Sequence, residues 1–199
     1  MDSFKIWGNS VSDKQANSFA ERLSQGELMV YPTDTLYAIG CDALNVKAIE
    51  RLCRVQNLNP DKVCLSIICR DISQAAEYAR IDNRGFKLLK EHTPGAFTFI
   101  FKANNTLPKT FKGRKEVGIR IPDCDAPIQI VNALDRPLLT ASIHADDDDY
   151  MINPELIAEN YASKADFMLI GEDAVNEPST IVNCIESEPE IIRQGKGVL

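Results

Sequence analysis

Four apolar residues, Leu28-Met29-Val30-Tyr31, run straight into Pro32, and Thr33, Asp34, Thr35 and Tyr37 follow at once. A short apolar run stopped by proline reads as a buried strand, because proline has no N–H to give to the ladder. Gly40, just beyond, permits backbone conformations that other residues resist. The chain thus places three hydroxyls and a carboxylate at a strand end, where ligands gather in α/β domains. The same side chains would equally serve a turn in which Thr and Asp satisfy their own backbone. On spacing alone both readings stand.

The rest of the chain repeats this grammar of short strands and amphipathic helices. Ser12 and Gln15 form a capping box ahead of Ala16, Phe19, Ala20 and Leu23 on one helical face, and Gly26 is the stop. Asn45 caps a helix carrying Ile49, Leu52 and Cys53, which the Asn57–Asp61 segment breaks. Strands are expected over 63–69, 96–102, 117–121, 137–142, 166–170, 179–183 and 191–194, with helices opened by Asp71, Asp82, Asp125 and Asn153-Pro154. Ala79 belongs to the inward face of the Asp71 helix, and 103–115 reads as a polar, basic, flexible connection. Adjacent strands mixed with β-α-β units predict one α/β domain over 1–199 on a mixed, twisted sheet.

Composition narrows the chemistry. No apolar run approaches the about 18 residues needed to span a bilayer, and residues 1–12 lack the pattern of a signal peptide, so the cytoplasm is expected and a membrane partner is not. The six cysteines show no C-x-x-C pair and read as reduced, buried thiols. Two histidines nearly exclude a multi-histidine metal site, and no metal ligand set is assigned. A net charge of −7 works against bulk attraction to nucleic acid, while leaving a local basic pocket open.

No P-loop, G-x-S-x-G or G-x-G-x-x-G is present. What recurs is a polar or cationic residue at a strand end: Thr33, Arg120, Ser142, Ser179 and Arg193, with Arg54 at the end of the second helix. An arginine within an apolar strand such as Val117-Gly118-Ile119-Arg120-Ile121 is costly unless its guanidinium meets an anion. That anion is either a protein carboxylate or a ligand whose oxygens the planar fork can grip in pairs.

The chain resembles the YrdC-like (threonylcarbamoyl-AMP synthase) family, most closely its YciO-like branch. The matching segments are Pro32-Thr33-Asp34-Thr35-Leu36-Tyr37-Ala38-Ile39-Gly40, Thr93-Pro94-Gly95 with Thr98, Val117–Pro122, Pro137–Ser142, Pro178–Val182 and Ile191–Gly195. Cys53-Arg54 and Cys69-Arg70-Asp71-Ile72-Ser73 point to the YciO-like branch. The resemblance implies a three-layer α/β fold with a large concave pocket. It implies a reaction in which ATP, L-threonine and bicarbonate give threonylcarbamoyl-AMP and pyrophosphate, with Mg2+ accompanying ATP, for modification of tRNA adenosine 37. By position, Thr33, Tyr37, Arg120, Ser142 and Ser179 would take threonine or its carbamate. Arg54, Gln56, His144 and Arg193 would take the nucleotide, and no acid or base is assigned.

Several positions depart from the family pattern. Its Lys-x-Arg is here Arg54-Val55-Gln56, its Ser-x-Asn is Ser142-Ile143-His144, and Ile68 stands where a histidine is often found. Losing one cation and one guanidinium fork leaves two alternatives beside synthesis. One is a double-stranded RNA or tRNA-binding or regulatory module, for which the Lys109–Lys115 cluster is the candidate contact. The other is a hydrolase of nucleotide or modified tRNA, with His144 and the Asp146–Asp149 run near the pocket.

Overall fold

Alternate residues of the central strands enter two separate apolar cores, and this alternation sets the layers. Met29 and Tyr31 pack on one side and Leu28 and Val30 on the other, and Ile68, Leu138, Phe167 and Leu169 oppose Ile67, Leu139 and Met168 in the same way. The computed structural model describes residues 1–111, 115–145, 148–186 and 188–199. In chain order the elements are β1 (Asp2–Lys5), α1 (Asp13–Ser24), β2 (Met29–Tyr31), β3 (Ala38–Asp42), α2 (Val46–Val55), β4 (Ser66–Ile68), α3 (Ile72–Tyr78), β5 (Ala79–Arg80) and α4 (Asn83–His92). Then come β6 (Phe97–Ala103), a 3-10 turn at Lys109–Phe111, β7 (Glu116–Arg120), α5 (Asp125–Leu134), β8 (Leu138–Ser142), α6 (Asp149–Ile152), α7 (Pro154–Tyr161), β9 (Phe167–Ile170), β10 (Thr180–Asn183) and β11 (Glu190–Arg193).

These strands form one mixed sheet in the order β1-β9-β2-β3-β8-β4-β7-β6-β10-β11, with β5 added to β6. Helices α1 and α5 bury Ala16, Phe19, Leu23, Ile130, Val131 and Leu134 against one face. Residues of α2, α3, α4 and α7, among them Ile49, Leu52, Ala75, Leu89 and Ile157, cover the other. The result is the expected three-layer α/β fold. Among the described residues no helix is long and apolar enough to cross a membrane.

Local signals explain several boundaries. The capping box is present: Gln15 N donates to Ser12 Oγ (3.3 Å) and Ser12 N donates to Gln15 Oε1 (3.0 Å). Gly26 ends α1 with φ +96°, and Asn45, Asp71, Asp82 and Asn153 each accept a backbone N–H as N-caps. The chain's single tryptophan, Trp7, precedes a tight turn in which Gly8 and Asn9 both have positive φ and Ser10 N donates to Trp7 O. Asn9 fastens that turn inward through Oδ1, which accepts Glu172 N at 3.1 Å, and leaves Trp7 86% exposed.

Elsewhere the structure corrects the sequence. Gly40 lies within β3 without positive φ; a Cβ there would stand 2.8 Å from Leu139 O and 2.9 Å from the Tyr31 ring, so close approach is what requires glycine. The 103–111 part of the expected flexible connection is anchored, with Leu107 and Phe111 buried and Asn104 Nδ2 donating to three carbonyls of 76–79. Lys112, Gly113 and Arg114 of the basic cluster lie outside the described residues. Ala79 is in a strand, not the preceding helix, and α5 is capped at Cys124 without a side-chain bond, leaving Asp125 in its first turn. Of the acidic run, Asp146 and Asp147 lie outside the described residues and Asp149 opens α6. No disulfide joins the cysteines among the described residues; Cys41, Cys53, Cys69 and Cys124 are buried, whereas Cys64 and Cys184 are half-buried.

Two predictions follow from these contacts. Asp166 accepts both Arg51 Nη1 (2.5 Å) and Nη2 (3.1 Å), and its Oδ2 also accepts Leu28 N (2.7 Å). Burial works to raise its carboxyl, but Arg51, the Leu28 amide and the charge of Arg22 outweigh it and hold the group below its usual range. An acid depressed in the folded state stabilises fully above its unfolded value near about pH 4, and that stability is lost as pH falls through the folded value. Asp166→Asn should therefore lower the urea midpoint at pH 7 by about 1 kcal/mol equivalent, with the gap closing in acid; a gap unchanged at pH 2.5 would remove ionisation as its source. Gly40→Ala should cost about 1–3 kcal/mol in urea unfolding followed by circular dichroism, and an unshifted midpoint would mean that β3 yields freely.

Candidate functional site

On the α1/α5 side of the sheet the register sets small and hydroxyl residues in a line. Gly40, Thr140, Ser66 and Gly118 stand opposite one another across β3, β8, β4 and β7. Gly118 has no space for a Cβ, which would meet Ser66 Oγ and, at 3.0 Å, Thr98 Cγ2. Thr140 Oγ1 accepts the Tyr31 hydroxyl at 2.8 Å. Between Met29, opposite Gly40, and Ile100, opposite Gly118, these four positions make a short polar floor beside the helix-covered apolar core. Half-buried Ser142, two residues beyond Thr140 on the same strand face, extends it.

Arg120, at the end of β7, is 4% exposed. Its Nη2 donates to Thr33 Oγ1 (3.1 Å), Asp34 Oδ1 (2.6 Å) and Thr35 Oγ1 (2.5 Å). Asp34 also accepts Asp123 N at 3.1 Å through its other oxygen. The loop after β2 is thus folded around a guanidinium: Thr33 Oγ1 donates to Leu36 O (2.6 Å) and accepts Thr35 N (3.1 Å). Of the two sequence readings of this loop, the turn is the one the structure carries. Its side chains satisfy their own backbone, and they hold a cation whose Nε is buried with no hydrogen-bond partner.

A second cation stands close by. Arg193 donates from Nε (3.2 Å) and Nη2 (2.8 Å) to Ser179 O, and from Nη2 to Ser179 Oγ at 3.4 Å. Ser179 Oγ lies 2.9 Å from Thr98 Oγ1. Arg193 is exposed as a residue, but partial burial of its guanidinium against Ser179, and then the positive charge of Arg120, pull it below the ordinary guanidinium range. No carboxylate pairs with Arg193 among the described residues. The segment after β11 folds back over Thr180, whose Oγ1 donates to Gly197 O (2.6 Å) and accepts Gly195 N (2.9 Å). Gly195 and Gly197 are required there by contact with Pro178 O and the Phe97 ring. This strap delivers Lys196, whose Nζ donates to Asp34 O at 2.7 Å. Sequence reasoning missed Lys196; its flanking glycines, an unusual pair around a lysine, were the available signal.

A third group gathers on the Tyr161 hydroxyl. Tyr161, buried at the end of α7, accepts Gln56 Nε2 (3.0 Å) and His144 N (3.4 Å) on its hydroxyl. It was absent from the sequence reading because no local pattern links it to either residue. The structure therefore brings together Thr33, Arg120, Ser179 and Arg193, sets Ser142 on the floor, and gathers Gln56 with His144. Tyr37 is fully buried, with its hydroxyl accepting Gly171 N (3.0 Å) and donating to Glu172 O (3.1 Å). Burial pushes that hydroxyl up to about 12, which keeps it protonated as a fastening for the 171–172 loop. Arg54 is exposed and lines a groove with Glu50, Cys53, Asn57 and Leu58, which includes none of the residues above. Ile68, opposite Arg120 in the sheet, belongs to the apolar core. Cys124, next to the cluster, is no nucleophile: burial, then the Asp34 carboxylate, push its thiol up to about 12.

Residues 21–195 match the Sua5/YciO/YrdC family model, described as telomere recombination. An uncharacterized protein of Haemophilus influenzae is 33% identical over 198 residues, covering 98% of this chain and 95% of that one. The uncharacterized protein YciO of Escherichia coli is 31% identical over 98% of this chain and 95% of its own, and a putative threonylcarbamoyl-AMP synthase of Methanocaldococcus jannaschii is 28% identical over 94% and 89%. The crystal structure of E. coli YciO superimposes with a TM-score of 0.90, covering 100% of this chain and 98% of that one. Sua5 of Pyrococcus abyssi complexed with L-threonine, 20% identical, shares the fold at a TM-score of 0.86 over 98% of this chain and 58% of its own. With its three layers, its mixed sheet and these matches across nearly its whole length, the chain belongs to the Sua5/YciO/YrdC family.

Proposed function

We propose that the sheet face over Gly40, Thr140, Ser66 and Gly118, beside Arg120 and Arg193, is the hollow that binds L-threonine and ATP and forms threonylcarbamoyl-AMP. The observation that supports this most is a pair of guanidinium groups on facing hydroxyl clusters, Arg120 bonded to Thr33 and Arg193 bonded to Ser179, which in turn meets Thr98, with the Arg193 strap tied to the Arg120 loop through Lys196 and Asp34 O. Like charges on neighbouring segments are stabilised by an anion, and the buried Nε of Arg120, without a partner among the described residues, is a donor that such an anion would satisfy. Threonine's amine takes up carbon dioxide derived from bicarbonate without help from a protein nucleophile. A carbamate oxygen then attacks the α-phosphorus of ATP, and pyrophosphate leaves with the electron pair of the broken P–O bond. The protein's task is alignment and charge neutralisation. In this reading Thr33, Arg120, Ser142 and Ser179 hold threonine and its carbamate, while Arg193 with Lys196 meets phosphate oxygens. ATP brings Mg2+ on its phosphates. The product would serve modification of tRNA adenosine 37, in the cytoplasm.

One observation favours a second reading, a regulatory module that binds its ligand without making the adenylate. Gln56, which stands where the family pattern has an arginine, is uncharged and its amide is held by the Tyr161 hydroxyl, so it offers no cation on the nucleotide side.

Incubation with ATP, L-threonine, bicarbonate and Mg2+ should release pyrophosphate only when threonine is present. Threonine binding without such release would overturn synthesis and leave the second reading. Arg120→Ala is a poor probe, because it strands the buried carboxylate of Asp34 at a cost of about 3–5 kcal/mol. Arg193→Ala leaves no carboxylate unpaired and should lower kcat/KM for ATP by about 10- to 100-fold with an unchanged urea midpoint. Lys196→Ala should raise KM for ATP with kcat nearly unchanged, and equal loss in both would place Lys196 in the transition state instead.

A further inference from the structure

Along β6, four residues and about 13 Å from Thr98, the same strand face carries Lys102 at the mouth of a separate cavity. This cavity of about 510 Å³ is lined by Arg80, Lys102, Lys115 and Asn105 around an apolar base of Phe111 and Ile185. Its volume falls within the range of small-ligand sites.

Arg80 of β5 stands directly opposite Lys102 of β6 in an antiparallel pair. Like charges so placed destabilise a sheet unless something neutralises them. Lys115 adds a third cation from a strained position, with φ +57° in a residue that is not glycine, and its carbonyl is held by Ala103 N at 2.9 Å. Among the described residues Glu116 is the one carboxylate in the lining, and none of the three cations takes a carboxylate partner in an ion pair. In a chain with net charge −7, such a concentration of positive charge runs against the average.

We propose that this cavity is a second ligand site, for a small organic phosphate whose body is apolar or aromatic. The phosphate lies between Arg80, Lys102 and Lys115, the body rests on Phe111 and Ile185, and the exposed Asn105 amide offers a hydrogen bond to a polar edge. A compact ligand suits the site better than a polynucleotide, because the concave apolar base accepts one ring or chain while the acidic whole repels an extended polyanion.

The test is an amide NMR titration of the full chain with AMP, inorganic phosphate and adenosine as separate probes. AMP should move the amides of Lys102, Asn105 and Ile185, phosphate should move the Lys102 amide at higher concentration, and adenosine should move none of them. Arg80→Glu converts the opposed like charges into an attracting pair, so the urea midpoint should not fall while AMP affinity at these amides drops about tenfold. Arg193→Ala should leave those same shifts intact, which separates this cavity from the hollow. AMP shifts confined to residues around Thr33 and Ser179, or full AMP affinity in Arg80→Glu, would overturn the proposal. So would a short RNA duplex that moves these amides where AMP does not.

Discussion

The capture of one buried guanidinium by one loop organises the molecule. Arg120 ends a central strand where apolar neighbours would make its charge intolerable alone, and Thr33, Asp34 and Thr35 close on a single nitrogen of it. Asp34 extends the arrangement to the Asp123 amide, which fixes the turn leading into α5. The apolar helix cover on this face and the polar floor beyond it meet at that arginine. Its position decides where the sheet is core and where it is site.

Two kinds of restraint then shape the hollow from outside. The strap over Thr180 holds Arg193 and Lys196 at one rim through backbone and hydroxyl contacts, without a carboxylate on Arg193. The Tyr161 hydroxyl fixes the Gln56 side chain and the His144 backbone amide. Arg193 and Lys196 therefore bring positive charge, whereas the Gln56 amide brings none and is already hydrogen-bonded. That difference is the physical content of the departure from the family pattern at 56.

The strands with strong apolar runs and proline stops were legible, because burial on both faces leaves a continuous signal. β1 was not: Asp2-Ser3-Phe4-Lys5 is polar and owes its strand form to pairing with β9 from the far end of the chain. β3 was hidden for a related reason. Ala38-Ile39-Gly40-Cys41-Asp42 contains a glycine that looks like a turn until the Tyr31 ring is seen lying against it. The sequence posed the right question about Arg120, ligand anion or protein carboxylate, and Asp34 supplies the second answer while Nε keeps the first one open. Arg54 could not be placed from sequence, since a helix-end arginine points wherever the helix's rotation sends it, and here that is a groove of its own.

The exposed indole at the Gly8-Asn9 turn has a practical corollary. Trp7 is already in water when the protein is folded, so unfolding hardly alters its surroundings and intrinsic emission is nearly blind to global denaturation. The same fluorophore sits beside a turn that lines a cleft with Thr33 and Asp34. Light from this one side chain therefore ignores the stability of the body beneath it.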